Sequence, residues 1–117
     1  MIVGVGIDVV DVARFGATLE RTPALRERLF TVGERDLPLN SLAARFAAKE
    51  AALKALGLGG LRLHEIEVEG GGDEPPRLRL HGEAAEVATR EGVELSVSLT
   101  HSRDLAAAVV RADRTSG

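Results

Sequence analysis

Apolar and polar positions alternate or run together in five parts of the chain, and each part predicts a β-strand. An apolar run over residues 2–9 predicts the first strand. Regular alternation predicts three further strands, at residues 62–69, 77–81 and 94–101. The continuous apolar run over residues 105–112 predicts a fifth strand that is covered on both faces.

Helical periodicity fills the intervals between these strands. The first helix begins at the candidate N-cap Asp11, and a second helical segment begins at Pro23, a residue that suits the first helical position. A long helix begins at the candidate N-cap Ser41 and ends at Gly57. A short helix covers residues 83–91.

The order of these elements predicts an α+β domain. One strand is followed by two helical segments, the long helix, two strands, a helix and two more strands. The chain has 117 residues and shows no internal repeat or linker, so we expect a single domain over residues 1–117 with a frayed tail at 113–117. The expected architecture is an antiparallel sheet packed on the long central helix.

The long helix carries two apolar stripes on opposite sides. The first stripe holds large side chains, namely Leu42, Phe46, Leu53 and Leu56. The second stripe holds small side chains, namely Ala44, Ala48, Ala51 and Ala55. Because small side chains let another backbone come close, we expect this helix to be buried on two sides.

The composition excludes several classes of protein. The chain has no cysteine, which excludes disulfides and thiolate metal sites. A net charge of −3 and the lack of Trp and Tyr argue against nucleic acid as the main partner. No apolar run approaches the ~20 residues that cross a bilayer. No basic region precedes the first apolar stretch, so we expect a cytoplasmic protein.

Charged side chains stand in two apolar settings where they need partners. Asp8 interrupts the apolar run of the first strand, and a carboxylate buried there without a partner would cost several kcal/mol. On the long helix, Arg45 and Lys49 border one side of the large-residue stripe, and Glu50 and Lys54 border the other. On an exposed helix, Glu50 and Lys54 would form only an ordinary surface pair worth about 0.2–0.5 kcal/mol.

Two interpretations of these charges stay open at this point. Asp8 and Glu50 could pair with lysine and arginine alone, as a structural network. They could instead hold a hard divalent cation, because Mg²⁺ takes one or two carboxylates together with waters and substrate phosphate oxygens. The neighbouring cations would then bind phosphate. Spacing along the chain does not decide whether Asp8 meets Glu50.

Three segments of the chain resemble one protein family. They are GIDVVDVARF near the N-terminus, RFAAKEAALKALG at 45–57 and VSLTHSRDLAAAVV at 97–110. In order and length they resemble the holo-[acyl-carrier-protein] synthases, the small members of the 4′-phosphopantetheinyl transferase superfamily. The resemblance implies that family's fold and its reaction: the phosphopantetheine arm of coenzyme A passes to a serine of apo-acyl carrier protein, with release of adenosine 3′,5′-bisphosphate. It also implies Mg²⁺ and a homotrimer with active sites between subunits.

The resemblance assigns roles to individual residues. Asp8 and Glu50 would be magnesium ligands, and Lys54 would contact phosphate, so these three form the expected catalytic set. The expected coenzyme-binding residues are Arg45, Lys49, Lys54 and His101, and for Arg45 and Lys49 the resemblance leaves open whether they bind phosphates or hold the pocket. Outside the motif, His101 would be a turn residue at a strand end, and Gly57 a helix C-cap.

The helical segments after the first strand are rich in arginine. Because acyl carrier proteins are strongly acidic, the resemblance gives Arg14 and Arg21 the task of binding the carrier, with Arg26 and Arg28 on the same basic face. Without the family, these arginines would be a solvated face interleaved with glutamates.

One departure from the family and three competing functions remain. Residues 34–41 form a shorter segment than the loop common in relatives. The shorter segment puts in question the details of coenzyme binding or of the contact between subunits, but not the metal site. A transferase for specialised carriers would be about twice as long. A non-catalytic module that binds coenzyme A or acyl carrier protein would need neither Asp8 nor Glu50. A plain oligomerisation domain would need them only for folding.

Overall fold

The computed structural model describes residues 1–115 and contains five strands and four α-helices. The strands are β1 Ile2–Asp11, β2 Ile66–Gly71, β3 Glu74–Leu80, β4 Val93–His101 and β5 Leu105–Arg114. The helices are α1 Val12–Arg21, α2 Leu25–Leu29, α3 Leu39–Leu56 and α4 Gly82–Glu91, and a 3₁₀ turn spans Leu63–Glu65.

The strands form two antiparallel sheets. The larger sheet has three strands in the order β1-β5-β4, and β2 pairs with β3 in a separate hairpin. Helix α3 packs across the larger sheet and also touches β2. The predicted α+β class, with an antiparallel sheet on a long helix, is therefore confirmed.

Small residues on β1 and on α3 let the two backbones come into direct contact. The predicted alanine stripe of α3 is fully buried or nearly so. A Cβ placed on Gly4 or Gly6 would collide with the carbonyl oxygens of Ala55 and Ala51 respectively. The two glycines of β1 are therefore required for backbone-to-backbone contact with α3, and the prediction of a helix buried on two sides is confirmed.

Two predicted boundaries are wrong. Helix α3 begins at Leu39, two residues before the predicted start, with Pro38 in the N-cap position and no side-chain cap. Ser41 therefore lies inside the helix, and the Leu39 side chain in its first turn lies next to Gly16 of α1. The strand predicted from residue 62 begins only at Ile66, because Leu63–Glu65 form the 3₁₀ turn.

One face of the larger sheet is open in this chain, contrary to the prediction that β5 is covered on both faces. Alternate β5 residues are buried against α3 while their neighbours on the other face are exposed. The open sheet face, as we call it, consists of the exposed side chains Val5, Ile7, Val9, Leu105 and Val109. Three of these, Val5, Ile7 and Val9, are each about 60% exposed, at 60%, 62% and 59%.

The C-terminal strand runs further than predicted. β5 continues to Arg114, which places Asp113 and Arg114 in the sheet and not in a frayed tail. Ser116 and Gly117, the rest of that predicted tail, lie outside the described residues. Within residues 1–115, none of the helices combines the length and the apolar content that a bilayer crossing requires.

Candidate active site

Asp8 obtains a partner from α3. It lies between Gly6 and Val10 on the face of β1 that packs against the helix. The Lys54 Nζ donates to Asp8 Oδ1 at 3.2 Å and to the Ile7 carbonyl oxygen at 2.9 Å. The close approach allowed by Gly6 thus brings a helix lysine to the strand carboxylate.

Glu50 adds a second carboxylate to the same place. It stands one helical turn before Lys54 on α3 and lines a cleft together with Asp8. Burial raises the pKa of Glu50, the negative charge of Asp8 raises it further, and the Lys54 ammonium opposes both. Two carboxylates therefore share one lysine, which leaves an excess of negative charge.

The cleft that holds these carboxylates has a volume of about 820 Å³. Asp8 and Glu50 supply its acidic part, and Asp11 and Arg14 line it from the start of α1. Its apolar lining consists chiefly of Phe15, Leu25, Leu29, Phe46 and Leu63. The Phe15 and Phe46 rings stack at a centroid distance of 4.8 Å. The cleft can accept a charged group at one end and an apolar surface beside it.

Helix α1 positions the expected carrier-binding arginines. Asp11 is its N-cap, as predicted, because the Asp11 Oδ1 accepts a hydrogen bond from the Arg14 backbone N–H at 2.9 Å. The Arg14 side chain is exposed at the cleft. Arg21, two helical turns further on, is also exposed and donates to Thr18 Oγ1 at 3.4 Å. Arg14 therefore lines the same cleft as the two carboxylates, and Arg21 lies further along the helix.

Lys49 does not reach the cleft. Its side chain has 0% exposure and its ammonium donates to Glu34 Oε1 at 2.8 Å, to the Leu63 carbonyl at 3.1 Å and to the Ile66 carbonyl at 2.6 Å. These three bonds use all the donors of the ammonium. The geometry therefore argues against phosphate binding, one of the two roles that the resemblance left open for Lys49.

Arg45 and His101 also lie outside the cleft lining of their own chain. Arg45 is 8% exposed, donates to the Gly70 carbonyl at 3.0 Å, and has a buried Nε without a partner among the described groups. Burial lowers the pKa of Arg45, against the opposing charge of Glu34. His101 is exposed at the end of β4, where Ala106 of β5 separates it from Val10.

Sequence reasoning missed Glu34, the partner of Lys49. The Glu34 Oε1 also accepts the Thr31 backbone N–H at 3.0 Å, and its Oε2 accepts the Val68 N–H at 2.9 Å. The spacing Thr-x-x-Glu is that of a capping box and could have marked Glu34 as a backbone acceptor. Nothing in the sequence indicates that Lys49, fifteen positions further on, completes the cluster.

The donor set of the cleft fits a magnesium ion that is shared with a substrate. Among residues 1–115, no group of three or more His, Cys, Asp and Glu side chains is arranged around a common metal position. A site made wholly by the protein is therefore not formed by these residues. Two carboxylates in electrostatic conflict, Asp8 and Glu50, match the one or two protein ligands that Mg²⁺ takes when phosphate oxygens and waters supply the others.

Comparisons with known proteins agree on one family. The model of the 4′-phosphopantetheinyl transferase superfamily matches residues 4–110. A holo-[acyl-carrier-protein] synthase from Micrococcus luteus is 55% identical over 118 residues, which cover 97% of this chain and 94% of that protein.

Solved structures give the same result. The crystal structure of holo-[acyl-carrier-protein] synthase from Neisseria meningitidis matches with a TM-score of 0.89 and 28% identity, over 97% of this chain and 100% of that one. The Helicobacter pylori holo-[acyl-carrier-protein] synthase in complex with coenzyme A matches with a TM-score of 0.81 and 30% identity, over 93% and 99% of the two chains. The chain therefore belongs to the holo-[acyl-carrier-protein] synthase family of phosphopantetheinyl transferases.

Proposed function

We propose that this chain transfers the 4′-phosphopantetheine group of coenzyme A to a serine of apo-acyl carrier protein and releases adenosine 3′,5′-bisphosphate. The names of the relatives and the coenzyme A complex of the Helicobacter pylori protein support the choice of substrates. The observation that carries the proposal is that two carboxylates, Asp8 and Glu50, line one cleft and that, of the two, only Asp8 accepts a hydrogen bond from Lys54. Among residues 1–115, Glu50 forms no ion pair within 4 Å, and a dication held by both carboxylates would balance its charge.

In this proposal Asp8 and Glu50 hold Mg²⁺. A bound Mg²⁺ supplies Lewis-acid chemistry, withdrawing electron density from the reacting phosphorus and neutralising developing charge. Asp8 and Glu50 fix the position of the acidic end of the cleft, because both are carried on backbones in direct contact. Their part in catalysis is therefore to set where the coenzyme diphosphate lies.

Lys54 stabilises the phosphate that reacts. Its side chain is 56% exposed, so its ammonium can turn from Asp8 to a phosphate oxygen without leaving the site. The serine oxygen of the carrier forms a new bond to phosphorus, the bond from phosphorus to the leaving bisphosphate breaks, and the serine proton passes to water. Such transfers depend on positioning and charge stabilisation more than on a strong base.

The coenzyme side of the site is completed by Arg45 and His101 from a neighbouring subunit of a homotrimer. Two observations support this part of the proposal. Neither residue lines the cleft of its own chain, and the open sheet face offers apolar surface for a second copy.

The carrier approaches over α1. Arg14 at the cleft and Arg21 two turns beyond it present positive charge to an acidic partner, which orients the acceptor serine toward Asp8 and Glu50. We place the reaction in the cytoplasm, in line with a chain that carries no cysteine.

The mass of the carrier tests the proposal. The protein is incubated with coenzyme A, Mg²⁺ and apo-acyl carrier protein, with a matched sample that contains a chelator, and the carrier is weighed intact. We expect a gain of one phosphopantetheine group that the chelator abolishes. If several carriers gain nothing while the folded protein binds coenzyme A, the transferase proposal fails and a non-catalytic binding module takes its place.

A further inference from the structure

The Glu34–Lys49 pair, which lies outside the cleft, connects the segments that form one of the cleft's walls. We propose that this pair is a positioning device that holds the wall made by α2 and the 3₁₀ turn at a fixed distance from α3, and thereby determines how well the carrier binds. This inference rests on the proposed function, because it assigns the cleft wall to the carrier. Glu34 and Lys49 touch no substrate in this account and act through the residues of the wall.

One ammonium ties three segments to α3. Lys49 bonds to Glu34 in the segment after α2, to the Leu63 carbonyl in the 3₁₀ turn and to the Ile66 carbonyl at the start of β2. Glu34 in turn accepts the backbone N–H groups of Thr31 and Val68. The pair therefore fixes the distance of all three segments from α3.

The same segments present side chains to the cleft. Leu63 lines the cleft, and its own carbonyl is one of the Lys49 acceptors. Leu25 and Leu29 line it from α2, which ends next to Phe30, whose ring centroid lies 5.5 Å from the Lys49 ammonium. A shift of the pair would therefore move these three leucines together.

The acidic end of the cleft is held in a different way. Gly4 and Gly6 of β1 contact the α3 backbone directly, and Asp8 lies on this strand. Neither Lys49 nor Glu34 takes part in that contact. Loss of the pair should therefore disturb the apolar wall and leave the Asp8–Glu50 site in place.

The carrier is the substrate that this wall would meet. Arg14 lines the same cleft from α1, so a partner that enters beside Arg14 touches the wall across from it. The coenzyme phosphates belong at the acidic end in the proposed function. The pair should consequently affect the KM for the carrier and have little effect on coenzyme affinity or metal affinity.

The test compares Lys49→Met, Glu34→Gln and the double variant with the unaltered chain. Four quantities are measured on folded protein below the unfolding midpoint: the KM for apo-acyl carrier protein, the dissociation constant of coenzyme A, that of Mn²⁺ from its electron paramagnetic resonance signal, and hydrogen exchange of the Thr31 and Val68 amides. Val87→Ala in α4 is the matched control, because it destabilises a buried position outside the main core cluster.

We expect each single variant to raise the carrier KM about tenfold, with coenzyme A and Mn²⁺ affinities within about twofold of the original. The double variant should be no worse than the more affected single variant, because both act through one contact. Exchange of the two amides should accelerate. Val87→Ala should lower the melting temperature and leave the carrier KM and the dissociation constants of coenzyme A and Mn²⁺ unchanged.

Two results would overturn the proposal. An unchanged carrier KM in folded Lys49→Met and Glu34→Gln would show that the wall does not depend on the pair. A tenfold loss of coenzyme A affinity in Lys49→Met would show that Lys49 binds phosphate after all. If Lys49→Met does not fold, Lys49→Gln and Glu34→Gln decide the matter by the same measurements.

Asp8→Asn separates the two proposals. Loss of Mn²⁺ binding in this variant supports the metal site, independently of the results for Lys49 and Glu34.

Discussion

Two lysines of α3, Lys49 and Lys54, lie five residues apart, and each pairs with a carboxylate from another segment. The two pairs differ in burial and in hydrogen bonding. Lys49 and Glu34 are 0% and 2% exposed, and both are saturated with hydrogen bonds inside the chain. Lys54 and Asp8 are 56% and 20% exposed, and Asp8 shares its lysine with a second carboxylate, Glu50. The first pair is balanced by the protein itself, and the second is not.

The difference shows how to tell a structural charge from a functional one. A buried ion pair persists only when its remaining donors and acceptors are satisfied, as they are around Lys49. A charge cluster that stays unbalanced in an open cleft, as around Asp8, is a candidate ligand site. Four experiments test this contrast.

The largest effect should follow from removing one carboxylate of the unbalanced cluster. Asp8→Asn keeps the shape of the side chain and removes its charge, so we expect transfer to the carrier to fall roughly 10²- to 10³-fold or more. Circular dichroism should show a folded protein. An unfolded Asp8→Asn variant would instead favour a purely structural role for this carboxylate.

Replacing each lysine by methionine should separate the two pairs by stability. Lys49→Met leaves Glu34 buried without its cation, at a cost of about 3–5 kcal/mol in the free energy of unfolding. Lys54→Met breaks a solvent-screened pair, at a cost of about 1 kcal/mol or less. Urea unfolding of both variants measures the two costs, and equal costs would contradict the contrast.

Carrier binding should depend on charge at α1. Arg14→Glu should raise the carrier KM about tenfold, and added salt should raise the KM of the original chain, because screening weakens attraction to an acidic partner. Arg90→Glu on α4 makes the same charge change at another exposed position and serves as the control. If the carrier KM does not change with salt concentration, the proposal that Arg14 and Arg21 bind the carrier is wrong.

The smallest effect concerns stability without metal. The pKa of Glu50 is raised in the folded chain, so its contribution to stability is fully present below the unfolded pKa and is lost as pH rises through the folded pKa. Near neutral pH the charged Glu50 therefore destabilises the metal-free fold. Glu50→Gln should raise the melting temperature there and give a smaller rise at about pH 4, near the ordinary pKa of glutamate. A lower melting temperature at neutral pH would contradict the assigned charge conflict.

Much of this fold could be predicted because it follows from local patterns. The glycines of β1 and the alanines of α3 mark a close contact between a strand and a helix, and the sequence contains both sets. The Asp11 cap and the αL Gly57 are local signals as well. The start of α3 at Leu39 differs from the prediction because Pro38 takes the N-cap position without a side-chain cap, whereas the sequence offers Ser41 as the capping residue.

The site was only partly predictable. Family motifs indicate Asp8, Glu50 and Lys54, and the structure brings these three together. The resemblance left open whether the motif lysine Lys49 binds phosphate or holds the pocket, and the structure shows its ammonium donating to the buried Glu34. Whether a helix lysine meets a ligand or a buried glutamate depends on what packs there, and that is set by residues far away in the sequence.

A crystal structure with bound metal would show whether Asp8 and Glu50 hold the cation. The protein would be crystallised with coenzyme A and Mn²⁺ in place of Mg²⁺, and the manganese would be located by its anomalous scattering. We expect one manganese between the carboxylates of Asp8 and Glu50, with a coenzyme phosphate oxygen among its ligands. Manganese bound elsewhere, with coenzyme A present and the Asp8–Glu50 site empty, would contradict it.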